Sequence, residues 1–264
     1  MNPKLVINGA AGRMGRRIIA LAIESGKFDI VAAVDYPGHP ETGKDIGTLA
    51  GKEALGIQLG SDCSVDADVM IDFSLPEAAD KVIEYCMTNN TALVMCTTAL
   101  SAEQEKAIAA AAKKIPVIHA SNTSVGMNVL FSIVGKIAKR LGDDYDIEIV
   151  ETHHRFKKDA PSGSAKTLAE RIAAETDKDF PKCLDLGRQG AEALRQKGKI
   201  GIQALRLGDT VGEHSVMFGT LGETVTISHS AHNRDTFAAG ALRAAAWLLN
   251  KKPDLYSMAD VLGL

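Results

Sequence analysis

Residues 151–165 read ETHHRFKKDAPSGSA, with two adjacent histidines (His153, His154), two adjacent lysines (Lys157, Lys158) and then Pro-Ser-Gly-Ser. Histidine exchanges protons near neutral pH, and a crowded lysine can serve as an acid. Ser162, Gly163 and Ser164 lead into a helical pattern, SAKTLAERIAAE. Backbone N–H groups at such a helix start attract a carboxylate or phosphate. The combination suits a small anionic substrate in a proton-coupled step. Neighbours in an extended chain point to opposite faces, so spacing alone does not say which histidine and which lysine act. A basic surface turn ahead of a capped helix is the plain alternative.

A second chemical feature lies at the other end of the chain. GAAGRMG (Gly9 to Gly15) follows a short apolar run, Lys4 to Asn8, and opens a helical pattern. Glycines let a backbone turn tightly against a pyrophosphate, and the helix start offers unpaired N–H groups. Asp35 ends the next apolar run about twenty residues on, where an acidic residue can bind ribose hydroxyls. Tyr36 and Pro37 follow it, not an arginine, so NADH is expected over NADPH, with Arg13 or Lys44 as the residues able to rescue NADPH use. Thr97, Thr98, Ser121 and Asn122 stand just after later strands, where open α/β sheets bind ligands.

The elements that carry these residues follow from periodicity. Asp29 to Asp35, Val69 to Phe73, TALVMCTT and IPVIHASN read as buried strands separated by helices. SLPE (Ser74 to Glu77) and SAEQ (Ser101 to Gln104) have the capping-box pattern. This alternation predicts a parallel, doubly wound sheet. After Asn122 the rhythm changes to a long helix (Val125 to Leu141), an alternating strand through His153, a helix, and three strands with no helix between them. That block reads as α+β with a mixed sheet, inserted into the first domain, to which helices at Asp235 to Asn250 and Ser257 to Leu264 return. The expected domains are 1–124 plus 234–264 and 125–233. Thr176 to Lys199 is expected to be a long surface loop.

Bulk properties narrow the class. A net charge of −3 argues against a general nucleic-acid binder. Four cysteines are scattered without metal-ligand spacing, so free thiols and no metal are expected. No apolar export segment or membrane-length run appears, which makes the cytoplasm the default location. His119, His214, His229 and His232 read as structural or interface residues, His214 least clearly.

EIVETHHRFKKDAPSGSA resembles the signature of the dihydrodipicolinate reductase family, E-[IV]-x-E-x-H-x-x-x-K-x-D-x-P-S-G-T-A. GAAGRMG, the two threonines after Cys96, GDTVGEHSVMF and the terminal MADVLGL are similar to that family too. The resemblance spans the chain and implies a Rossmann-like α/β domain with an inserted substrate and oligomerisation domain. It implies NAD(P)H-dependent reduction of 4-hydroxy-tetrahydrodipicolinate to tetrahydrodipicolinate, with loss of water, in lysine and diaminopimelate synthesis. By motif position, His153 would donate and accept a proton and Lys157 would donate one. His154 would bind the small dicarboxylate substrate, and Gly163 with Ser164 would hold its carboxylate. Cofactor positions would fall on Gly9, Ala10, Ala11, Gly12, Arg13, Met14, Asp35, Cys96, Thr97, Thr98, Ala120, Ser121, Asn122 and Thr123. A homotetramer built through the inserted domain's sheet is implied as well. Ser164 departs from the usual threonine but keeps the hydroxyl. Cys96 departs from a common glycine and is expected to narrow the approach of the nicotinamide ribose. An aspartate- or homoserine-type dehydrogenase shares the glycine turn but does not need the His/Lys segment. A non-catalytic nucleotide sensor would need neither His153 nor Lys157.

Overall fold

The computed structural model describes residues 1–264. The chain divides into two compact units, Met1–Val125 with Arg234–Gly263, and Gly126–Asn233 with Leu264.

The first unit begins with β1 (Lys4–Asn8), α1 (Arg13–Ser25), β2 (Asp29–Val34), α2 (Ile46–Leu49), β3 (Leu59–Gly60) and β4 (Val69–Asp72). It continues through α3 (Ala79–Thr88), β5 (Ala92–Met95), α4 (Ala102–Ala111) and β6 (Pro116–His119). The second unit holds α5 (Val125–Leu141), β7 (Asp146–His153), α6 (Gly163–Glu175), β8 (Leu184–Leu186), β9 (Ile200–Arg206), β10 (Gly212–Thr220) and β11 (Glu223–Ala231). The chain then returns to the first unit as α7 (Asp235–Leu248), β12 (Asp254–Tyr256) and α8 (Met258–Leu262).

Seven strands form the first sheet in the order β12-β6-β5-β4-β1-β2-β3. Every neighbouring pair is parallel. Successive side chains leave a strand on opposite faces. Leu5, Ile7, Ile71, Val94 and Ile118 therefore enter a core with Ile18 and Ala22 of α1 and Ala241 and Leu248 of α7. Val6, Met70, Leu93, Met95 and Val117 enter the other, with Val82 and Ile83 of α3 and Ile108 of α4. Both faces are thus covered, as a parallel sheet requires. The fold is a Rossmann-like α/β domain carrying an inserted α+β unit.

The second sheet runs β11-β10-β7-β9-β8. It is mixed: β10 is antiparallel to β7 and β11, whereas β9 is parallel to β7 and β8. Ile147 and Ile149 of β7, Ile200 and Ile202 of β9, and Val216 and Phe218 of β10 share a core with α5 and α6. On α5 the buried positions Met127, Leu130, Val134 and Ala138 follow helical spacing. The alternate positions Val150, Ser215 and Met217 are only half-buried, and Thr226 is exposed. No helix of the chain is long and apolar enough to cross a membrane.

Two local expectations change. SLPE is not a capping box: Pro76–Ala78 form a 3-10 turn, the N-cap is Leu75, and no side chain caps it. The Ser74 hydroxyl instead donates to Asp72 at 2.6 Å. SAEQ does form the full box, with Ser101 and Gln104 reciprocally bonded. The 176–199 segment is not all loop, since β8 lies inside it and pairs with β9. The short elements α2, β3 and β12 have no counterpart in the periodicity.

Candidate active site

The cofactor end is built where β1 meets α1. Gly9 has φ +75°, in the left-handed region, and a Cβ there would lie 2.5 Å from the Phe73 carbonyl oxygen. The turn therefore packs directly on the end of β4. The Asp35 carboxylate accepts from the amides of Ala11 (2.9 Å) and Tyr36 (2.9 Å), which ties the end of β2 to the glycine turn. A cavity of about 630 Å³ opens here, lined among others by Gly9, Gly12, Asp35, Tyr36, Phe73 and Ser74. Its glycines, strand-end carboxylate and helix start fit the pyrophosphate and ribose of a dinucleotide.

Behind the cavity lies a buried carboxyl that the sequence reading did not single out. Asp72, fully buried at the end of β4, accepts from Asn8 Nδ2 (2.7 Å), Ser74 Oγ (2.6 Å) and Thr97 Oγ1 (2.5 Å). Burial pushes its carboxyl upward against these hydrogen bonds. It fastens together the ends of β1, β4 and β5. Thr97 is thereby committed inward, whereas Thr98 is exposed. Cys96 does not line the cavity. Its side chain sits in the core beside Ala120, and burial raises its thiol pKa. After β6, Thr123 donates to the Phe237 carbonyl (2.7 Å), Asn122 accepts from the Ser124 amide (2.9 Å), and Ser121 is exposed. Ala10 and Ala11 are buried within the turn, Arg13 is exposed and Met14 half-buried.

The second site gathers around β7. Glu151 and His153 share a face of that strand, as alternation predicts. Glu151 is fully buried, and its carboxylate is saturated. It accepts from Arg206 Nη1 (2.9 Å) and Nη2 (3.0 Å) on β9, and from the Ser162 amide (3.0 Å). Its fourth contact is His153 Nδ1, at 2.6 Å. Burial alone would raise the Glu151 pKa, but the bonds from His153, Arg206 and Ser162 outweigh it and hold it at about 2. An ionised carboxylate only accepts, so Nδ1 of His153 carries the proton and Nε2 is the ring's other exchangeable position. Gly212, the first residue of β10, faces that nitrogen: a Cβ there would lie 3.2 Å from Nε2.

His214 of β10 stands beside it, edge-on to His153 with ring centroids 5.2 Å apart. Its Nε2 is 3.1 Å from Ser162 Oγ. Burial first, then the neighbouring His153, pushes its pKa down to about 3, so the ring is neutral at physiological pH. Ser162 also caps α6, accepting from the Ala165 amide at 3.1 Å. Gly163 begins the helix with nothing within 4 Å of where its Cβ would be. Lys157 Nζ pairs with Asp159 at 2.8 Å. Arg206 Nη2 also donates to the Asp159 carbonyl at 2.7 Å, fixing the loop that carries the lysine. His154 lies against Phe156, ring centroids 6.3 Å apart, and Lys158 is exposed. His153, Lys157, Gly163 and Ser164 thus belong to one β7-loop-α6 segment. Arg206 and His214 are the members that its spacing did not mark, and Glu151 stood in the signature without a role.

A Rossmann-like glycine turn with a strand-end acid, on a chain that also holds a carboxylate-backed histidine near a helix start, defines a nicotinamide-nucleotide-dependent oxidoreductase. The family models for the dihydrodipicolinate reductase N-terminus and C-terminus match residues 3–123 and 126–262. The chain belongs to the dihydrodipicolinate reductase family, whose members are NAD(P)H-dependent reductases. It is 46% identical to the 4-hydroxy-tetrahydrodipicolinate reductase of Alkalilimnicola ehrlichii, with 100% of both chains covered. It is 44% identical to that of Geotalea uraniireducens, with 99% of each covered. Among solved structures, a dipicolinate-bound dihydrodipicolinate reductase from Paenisporosarcina sp. TG-14 superposes with TM-score 0.74 at 22% identity, covering 98% of this chain and 99% of that one. An amine dehydrogenase from Mycobacterium smegmatis gives TM-score 0.64 at 12% identity, covering 98% and 95%, a likeness of fold alone.

Proposed function

We propose that this chain reduces 4-hydroxy-tetrahydrodipicolinate to tetrahydrodipicolinate with NAD(P)H, in lysine and diaminopimelate synthesis. The net change adds one hydride and one proton to the substrate and releases its hydroxyl as water. The nicotinamide supplies the hydride when bound. His153, backed by Glu151 and with Nε2 as its exchanging nitrogen, accepts and donates a proton, and Lys157 donates one. His154 binds the substrate, and the amides of Gly163 and Ser164 at the start of α6 hold one of its carboxylates. The observation that carries this reading is the Glu151–His153 contact at 2.6 Å beside a capped helix start. The unit of 1–124 with 234–264 is the dinucleotide-binding domain, and 125–233 the substrate and oligomerisation domain.

NADH is the preferred cofactor on this reading. Asp35 lines the cavity, where its carboxylate would meet the ribose and repel a 2′-phosphate. Lys81, which also lines the cavity, is offset by Asp62 at 2.8 Å. Gly9, Ala10, Ala11, Gly12, Arg13 and Met14 supply the pyrophosphate turn. The backbone of Cys96 and Thr97, with Thr98, Ala120, Ser121, Asn122 and Thr123, would line the nicotinamide end. The protein acts in the cytoplasm as a homotetramer joined through the sheet face bearing Val150, Ser215 and Met217, which α5 and α6 leave uncovered. The test is loss of NADH or NADPH in the presence of freshly generated dihydrodipicolinate synthase product. Turnover with NADH at a higher kcat/KM than with NADPH is expected. No turnover with either cofactor refutes the assignment.

A further inference from the structure

We propose that Glu151 is the positioning residue for His153, fixing the ring with Nδ1 protonated and leaving Nε2 to exchange protons with the substrate. The inference rests on the reading of His153 as a proton-exchanging group. It is carried by the contacts of the Glu151 carboxylate, which Arg206, outside the His/Lys segment, holds in place. The Glu151 carboxylate spans three elements: its own strand, Arg206 of β9 through two bonds of 2.9 and 3.0 Å, and the Ser162 amide ahead of α6 at 3.0 Å. Its remaining contact, at 2.6 Å, goes to His153 Nδ1.

A carboxylate held this way cannot rotate to release the ring. Arg206 neutralises its charge and keeps it ionised, so it offers Nδ1 only an acceptor. The same guanidinium holds the Asp159 carbonyl at 2.7 Å. One arginine thus sets the orienting carboxylate and the loop carrying Lys157 together. Facing the ring too are His214 of β10, edge-on and neutral, and Gly212, whose lack of a side chain keeps Nε2 clear. An acceptor behind one ring nitrogen selects the tautomer and raises the basicity of the other. A purely structural ion pair between Glu151 and Arg206 would need no histidine at hydrogen-bond distance.

Two measurements on the full chain test this. Long-range nitrogen–proton spectra of 15N-histidine-labelled protein report which nitrogen carries the proton, with the His153 signals assigned by their loss in His153→Gln. The wild type is expected to show His153 with Nδ1 protonated, and Glu151→Gln to lose that preference. A wild-type ring protonated only at Nε2 overturns the proposal, and this arm needs no variant of Glu151. In turnover, Glu151→Gln should lower kcat about 100-fold, the low end for general acid–base catalysis. KM for substrate and NADH should stay near wild type, and the acid limb of the kcat/KM profile should move. Glu151→Asp should recover part of the loss. A folded Glu151→Gln enzyme with wild-type kcat and pH profile refutes the positioning role. His153→Gln separates the two ideas. Full turnover by that variant removes the histidine from the reaction. An inactive His153→Gln beside a normal Glu151→Gln removes only the positioning by Glu151.

Discussion

His214 makes the stability of the protein acid-sensitive below about pH 6.5. The ring is 3% exposed, and burial with the neighbouring His153 pushes its pKa down to about 3. In the unfolded chain a histidine titrates near 6.5. Below that value the unfolded state binds a proton that the folded state refuses. Stability is therefore full above about pH 6.5 and falls as the pH drops toward 3. Between pH 7 and pH 5 the loss from this one ring comes to about 2 kcal/mol, and each further unit costs about 1.4 kcal/mol. The figure at pH 5 depends little on the native value, because any native pKa below about 4 leaves the folded ring neutral there. Glu151, lowered to about 2, adds nothing in this window. Its contribution is present above the usual carboxylate range and is lost only as the pH falls toward 2. His229, also lowered by burial, pairs with His214 across β10 and β11, and proteins with and without His214 both carry it. Replacing His214 with Gln removes the titrating ring and keeps an acceptor for Ser162. Urea unfolding followed by far-UV circular dichroism from pH 8 to pH 5 should show the wild type losing about 2 kcal/mol more than His214→Gln. Parallel stability profiles for the two proteins would show that the buried ring is not held neutral.

Lys157→Ala should lower kcat by about 100-fold or more while NADH affinity, read by fluorescence titration, stays unchanged. Equal losses in both would place the lysine at the cofactor. His154→Ala should mainly raise the substrate KM; a collapsed kcat at unchanged KM would exchange its role with that of His153. Asp35→Ala should weaken NADH binding and narrow the kcat/KM ratio of NADH to NADPH, and an unaltered ratio would remove Asp35 from the ribose.

Much of the architecture was legible because burial leaves a periodic trace. The β1 turn, the SAEQ box and the face shared by Ile147, Ile149 and Glu151 each depend on residues within one or two turns of chain. Ser74 was misread for the opposite reason. Its hydroxyl has a buried customer, Asp72, and the following Leu-Pro supplies a different helix start. The strands β8 and β12 are three residues long at sheet edges, too short for alternation to register. The Arg206 partner of Glu151 was invisible from the local motif because it lies 55 residues away. Only the parallel register that pairs His153 with Arg206 across β7 and β9 brings them together. Cys96 sits in a motif that suggests ligand contact, yet strand alternation turns its side chain into the core.

The split of the first unit between two chain segments orders events during synthesis. Its parallel sheet lacks the edge strand β12, and its core lacks Ala238, Ala241, Ala244 and Leu248 of α7, until nearly the whole chain is made. Apart from Leu264, the second unit is one continuous stretch, and its core is complete once β11 has emerged. The inserted unit can therefore close while the first 125 residues still wait for their last helices. On the ribosome, the N-terminal half is the part that spends longest with its apolar strands unprotected.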